Sequence, residues 1–200
     1  MPSKVLILLA HPALQRSRVN RALVRAVTEL QGVTLHDLYE TYPDFMIDVE
    51  HEQSLLLDHD IIVFQHPFYW YSAPALVKEW LDLVLEHGFA YGREGTALRG
   101  KAMMSAISTG GGEDAYHEAG MNRYSITELL RPFEQTARLC GMEWLPHFAV
   151  HGTHSMDIGS IQSGADDYRI LVTALTDRMS RDAQRAMNEA QIIPLRPAEA

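Results

Sequence analysis

The sequence predicts a three-layer α/β fold built on a parallel sheet. Short apolar runs of strand length alternate with segments of helical period along the whole chain. The leading run, KVLILLA, is continuously apolar rather than alternating, as in a strand covered by helices on both faces. No linker and no internal repeat divides the 200 residues, so a single domain over 1–200 is expected.

Lys4 to Ala10 is the first strand. Ser17 caps a helix whose apolar residues Val19, Leu23, Ala26, Val27 and Leu30 recur at helical spacing, and Gly32 stops it. Val33 to Asp37 is a short second strand, and Leu38 to Val49, which contains Pro43, reads as irregular. A short helix over Glu50 to Leu57 leads to the third strand, Asp60 to Gln65. Pro74 opens a helix with Leu76, Val77, Trp80, Leu81 and Val84 on one face. His87 to Arg99 is glycine-rich and irregular, and Lys101 to Ser108 is the fourth strand. One helix is expected over Ile126 to Cys140, ended by Gly141, then a fifth strand over Glu143 to His151. The last helix is placed at Ala165 to Ala190, with a frayed tail from Ile192 to Ala200.

Composition bounds the function classes. Hydrophobic residues make up 46% and charged residues 22%, an ordinary globular mixture. A net charge of -9 argues against a general nucleic-acid binder, which needs surplus lysine and arginine. Cys140 is the only cysteine, which rules out an internal disulfide and a cysteine-based metal site. The N-terminal apolar run, Val5 to Ala10, is too short for a signal peptide, and no run approaches a membrane span. A cytoplasmic protein is the expectation.

In open parallel sheets, ligands bind beyond the carboxyl ends of the strands. Three loops fall there. HPALQRSRVN, residues 11–20, leads into a helix N-terminus, an anion site by its free N–H groups and dipole. Ser17, His11, Asn20 and the arginines 16, 18, 21 and 25 add donors. HPFYWYSAP, residues 66–74, sets Phe68, Tyr69, Trp70 and Tyr71 directly after a buried strand, where exposed rings need a cover. Ser108-Thr109-Gly110-Gly111-Gly112 allows close backbone approach and several converging N–H groups. Each has a plainer reading alone: a capped helix with a solvated basic face, rings packed under Phe89 and Tyr91, and a flexible turn. Together at neighbouring strand ends they suit a phosphate, a flat aromatic ring and a polar ring edge, as in a flavin mononucleotide.

Other patterns fail. GTALRGKA, residues 95–102, has Ala102 where a phosphate-binding P-loop needs a hydroxyl, and it precedes a strand. The dinucleotide fingerprint G-x-G-x-x-G is absent. His147, His151 and His154 are not expected to share one face, and no metal site is expected. Trp80, Trp144 and Met103-Met104 read as core.

HPALQRSRVN, LYETYPDFMID, VFQHPFYWYSAPALVKEWLDLVLEHGFAYG, GTALRGK, STGGG and RPFEQTARLCGMEWLPHF together resemble the NAD(P)H:quinone oxidoreductases of flavodoxin-like fold. The likeness spans about residues 4–152 and points to the bacterial branch of ancillary subunits of glutathione-regulated, Kef-type potassium-efflux systems. It implies a flavodoxin-like sheet of order 2-1-3-4-5 with helices on both faces. It implies FMN rather than FAD, in keeping with a single phosphate site, and NAD(P)H as co-substrate. The phosphate would meet Ser17, Arg18, Val19 and Asn20, with His11 beside it; the flavin ring would meet Phe68, Tyr69, Trp70 and Tyr71; its other edge would meet Ser108, Thr109, Gly110 and Gly111. A homodimer is implied, with the partner chain covering the rings. Tyr116 stands where the family lines its active site with a tyrosine, but Asn122 stands where a histidine follows, and His117 is the candidate substitute. The implied activity is two-electron hydride transfer through the flavin to a quinone. Alternatives are azo or nitro reduction, or a weakly catalytic or non-catalytic subunit bound to a membrane potassium channel at the inner face of the membrane.

Overall fold

The computed structural model describes residues 2–178. One sheet of six parallel strands forms the centre. β1 (Val5–Leu9) lies between β2 (Val33–Asp37) and β3 (Ile61–Pro67). β4 (Ala102–Ser108) follows β3, and both β5 (Glu143–Trp144) and β6 (Phe148–Val150) pair with β4. The order β2-β1-β3-β4-β5 is the expected one.

Every residue of β1, β3 and β4 is buried, so the apolar runs do reflect cover on both faces. Alternate residues feed two cores. Val5, Ile7 and Val63 pack with α1 (Arg18–Val27) and α7 (Ile158–Asp177). Leu6, Leu8 and Phe64 pack on the other face with α3 (Val49–Asp58), α4 (Ala75–Val84) and α6 (Arg131–Leu139). Trp80 and both methionines of β4 are core, and Trp144 is half-buried against it.

Four expectations need correction. Leu38 to Thr41 is not irregular: it forms a short helix, α2, because the Asp37 carboxylate caps the N–H groups of Tyr39 and Glu40. The helix expected over Ile126 to Cys140 is two, α5 (Ile126–Leu129) and α6, broken at Leu130. Pro132 cannot donate to Glu128 and crowds it, which ends the first helix. The fifth strand is likewise two, because Pro146 lies inside it and has no N–H for the ladder. The last helix starts at Ile158, seven residues early, where Asp157 accepts from the Ser160 N–H at 2.6 Å. Its expected end at Ala190 and the tail lie outside the described residues.

His66 offers a stability test. It is fully buried on β3 and stacks on Phe133 with ring centroids 5.8 Å apart. Nδ1 donates to the Pro67 carbonyl at 3.0 Å, and Nε2 has no partner among the described residues. Burial pulls its pKa down to about 4. The unfolded chain, with an ordinary histidine near 6.5, therefore binds the extra proton first as pH falls. Stability from this group is complete above about pH 6.5 and is lost as pH falls toward 4, by about 2 kcal/mol between pH 7 and 5. Urea unfolding of wild type and His66→Gln at both pH values should show a smaller acid loss in the variant. Equal losses would contradict the reading.

Candidate functional site at the carboxyl edge of the sheet

The three loops do converge. They border one cleft of about 570 Å³ at the ends of β1, β3 and β4. At one end stands the N-terminus of α1. Ser17 is its cap, and the hydroxyl accepts from the Asn20 N–H at 3.1 Å. The N–H groups of Arg18 and Val19 belong to the first turn and have no intrahelical acceptor. Of the four arginines expected to crowd this end, Arg16 and Arg18 line the cleft. Arg21 borders the neighbouring hollow, and Arg25 lies in the last turn of the helix. The Val19 side chain is buried in the core, so its offering to the cleft is its backbone.

Asn20 ties two loops together. It is buried, and its amide Nδ2 donates to Ser108 Oγ at 2.9 Å and to Ser17 Oγ at 3.2 Å. Its Oδ1 is buried without a partner among the described residues. His11 is also buried beside the cleft. The Ala13 N–H donates to its Nδ1 at 3.1 Å, so a neutral ring carries its proton on Nε2. Burial holds its pKa below the ordinary value, which keeps it neutral.

The four rings divide. Phe68 is buried and meets Tyr116 edge-on, so it supports the wall rather than displaying itself. Tyr69 and Tyr71 are partly exposed, and Trp70 is 93% exposed. Trp70 and Tyr71 both adopt left-handed backbone, with φ of 50° and 61°. Such conformations cost about 1–3 kcal/mol each in large L-residues and concentrate at functional sites. Tyr69, Trp70 and Phe68 line the cleft. Tyr71 does not; its hydroxyl donates to Asn122 Oδ1 at 3.3 Å, tying the aromatic turn to the long loop after β4.

The glycine loop is fixed by its neighbour β6. Thr109 N–H donates to the Val150 carbonyl and Gly152 N–H to the Gly111 carbonyl, both at 2.8 Å. The Thr109 side chain is therefore internal. Its hydroxyl donates to the Gly111 carbonyl at 2.7 Å and lies 3.2 Å from His151 Nδ1. Ser108 and Gly110 line the cleft, while Thr109 and Gly111 do not. The N–H groups of Gly110 and Gly111 have no acceptor among the described residues. A Cβ at Gly110 would fall 2.4 Å from His154 Nε2, so only glycine lets that ring close over the loop.

The catalytic candidates separate. Tyr116 packs beside the glycine loop, between Phe68 and His151. His117 does not join it: it is exposed, and its Nδ1 accepts from the Ala119 N–H in its own turn. The histidine that meets Tyr116 is His151, with ring centroids 5.6 Å apart. His147 and His151 line one small polar pocket with Glu113, Tyr116 and Thr127. The three histidines 147, 151 and 154 do not all share one lining, since His154 borders the cleft, but His147 and His151 do meet one pocket, because residues four apart across a strand share a face. Thr109 has one hydroxyl proton, already given to Gly111, so its oxygen accepts from His151 Nδ1–H and Nε2 keeps the lone pair. Burial lowers the His151 pKa, partly offset by the Glu113 charge. Thr153 and His154 also border the cleft and were not anticipated. Nothing local marks them; they arrive because β6 pairs with β4.

Similar proteins share this fold. A family profile described as flavodoxin-like fold matches residues 3–171. The glutathione-regulated potassium-efflux system ancillary protein KefG of Pectobacterium atrosepticum is 53% identical over 167 residues, 84% of this chain and 91% of that protein. General stress protein 14 of Treponema denticola, solved in complex with FMN, is 40% identical with a TM-score of 0.83, covering 86% of this chain and 99% of that one. An NADPH-quinone reductase from P. pentosaceus is 38% identical with a TM-score of 0.76, covering 83% and 95%. On the fold, the profile match and these identities, the chain belongs to the flavodoxin-like family and is a homologue of the potassium-efflux ancillary proteins KefG.

Proposed function

We propose that the protein is an FMN-dependent NAD(P)H:quinone oxidoreductase that acts as a homodimer and serves as an ancillary subunit of a Kef-type potassium-efflux system. The observation that carries the reading is the meeting, in one cleft, of an open helix N-terminus, a ring wall under backbone strain and a glycine loop with free N–H groups. The residues fit FMN. The uncapped N–H groups of Arg18 and Val19, with Ser17 and the arginines, suit a phosphate. The partnerless Oδ1 of buried Asn20 is an acceptor awaiting a donor. Bound there, FMN would supply the two-electron hydride exchange between nicotinamide and quinone.

The chain's own part is to hold and to protonate. Tyr69 and Trp70 offer apolar faces to a flat ring, and the Gly110 and Gly111 N–H groups offer donors to its polar edge. Tyr116, which lines the small polar pocket beside the glycine loop, would donate a proton to a substrate oxygen. His151, fixed by Thr109, takes the supporting position first assigned to His117. A second copy seated over Trp70 would cover the exposed rings.

An absorbance titration tests this. Purified protein with added FMN should show flavin bands that bleach with NADPH and recover with a simple quinone. Tyr116→Phe should keep the bands and lose about a hundredfold in quinone turnover, His151→Gln should lose less and shift the pH profile, and His117→Gln should change neither. The 53% identity to KefG favours a second reading, a regulatory subunit that binds a membrane channel with little chemistry of its own. Failure to bind FMN would support that reading over the first. Among the described residues no helix is long and apolar enough to cross a membrane, so such a subunit would meet the channel through protein contacts.

A further inference from the structure

We propose that His36, His51 and Glu52 form a binding site for a divalent transition-metal ion of the zinc class. The three residues belong to two elements that the fold packs together. His36 pairs with Leu8, one residue before the end of β2, and His51 and Glu52 sit in the first turn of α3. One ligand atom from each lies within 4.8 Å of the others. The two imidazole rings meet edge-on, with centroids 5.8 Å apart. Two imidazoles and one carboxylate suit Zn²⁺, Co²⁺ or Ni²⁺; Mg²⁺ and Ca²⁺ prefer oxygen alone.

The surroundings are those of a ligating carboxylate. Glu52 is fully buried, Tyr42 hydroxyl donates to its Oε1 at 2.7 Å, and Trp80 Nε1 donates to its Oε2 at 2.7 Å. Such outer donors fix the orientation of metal-bound carboxylates. His36 Nε2 donates to Oε1 at 2.6 Å. An ion would take the place of that N–H proton between the two atoms, with His36 moving back to let both reach about 2.0–2.2 Å from the metal. His51 is exposed, and its ring makes no hydrogen bond among the described residues. It gives the ion a route from solvent and leaves a fourth position for water. None of the three residues lines the cleft, so the site is separate from the proposed flavin chemistry.

Cobalt is the probe. The full chain, stripped with a chelator, is titrated with Co²⁺, and visible d–d absorption is followed, then displaced with Zn²⁺. One equivalent of a tetrahedral-type band, bleached by Zn²⁺, is expected. His51→Ala changes an exposed side chain and leaves the Glu52 cluster intact; it should weaken Co²⁺ binding at least about tenfold. His117→Ala, an exposed histidine on the far loop, should bind as wild type does. Absence of a band, a band untouched by His51→Ala, or an equal loss in His117→Ala would overturn the proposal.

Discussion

Glu52→Ala is expected to destabilise the fold by roughly 3–5 kcal/mol, the range for breaking a buried charged network on one side. The carboxylate is fully buried and accepts from three side chains, those of His36, Tyr42 and Trp80. Burial alone would raise its pKa, yet these donations outweigh burial and hold the group below the ordinary carboxylate value. Removing it leaves the buried Tyr42 hydroxyl and Trp80 N–H without an acceptor, each costing about 1–3 kcal/mol, and opens a cavity between α3 and α4. Glu52→Gln keeps the volume and an acceptor oxygen, so it should fall between. Urea denaturation measures both. A loss under about 1 kcal/mol for the alanine variant would mean water replaces the carboxylate freely.

Ser17→Asp is expected to keep the fold and to lose FMN affinity by about a thousandfold. Aspartate is as good an N-cap as serine, and a negative charge there suits the helix dipole, so α1 should stay formed. The cost falls on a bound phosphate. Two like charges about 4 Å apart at an effective dielectric near 20 repel by about 4 kcal/mol, or about three decades in affinity. Ser17→Asn keeps the cap and adds no charge, so it should lose far less. Fluorescence titration of stripped protein with FMN compares the three. Equal affinity in wild type and Ser17→Asp would place the phosphate elsewhere.

The protein's layout was legible because its signals are local and backbone-driven. Continuous apolar runs gave β1, β3 and β4, and periodicity gave α1 and α4. The errors had local causes as well. Pro132 and Pro146 each cut an element that apolar pattern alone joins, and Asp37 caps a helix that pattern alone does not show while Asp157 starts the last helix seven residues earlier than pattern alone places it. The three loops of the cleft were readable because each follows a strand directly, and a parallel sheet delivers those ends to one edge.

The sequence by itself determined the sheet, the edge where the three loops converge, and the residue types there: a capped helix start, rings and glycines. Tertiary structure alone decided which side chains meet. It turned Phe68 inward and Trp70 outward, set His151 rather than His117 against Tyr116, and brought His36 to His51 and Glu52. The physical reason is range. Periodicity, capping and turn chemistry act over a few residues, whereas these meetings depend on strand register and on how helices seat against the sheet, which couple residues far apart in the chain.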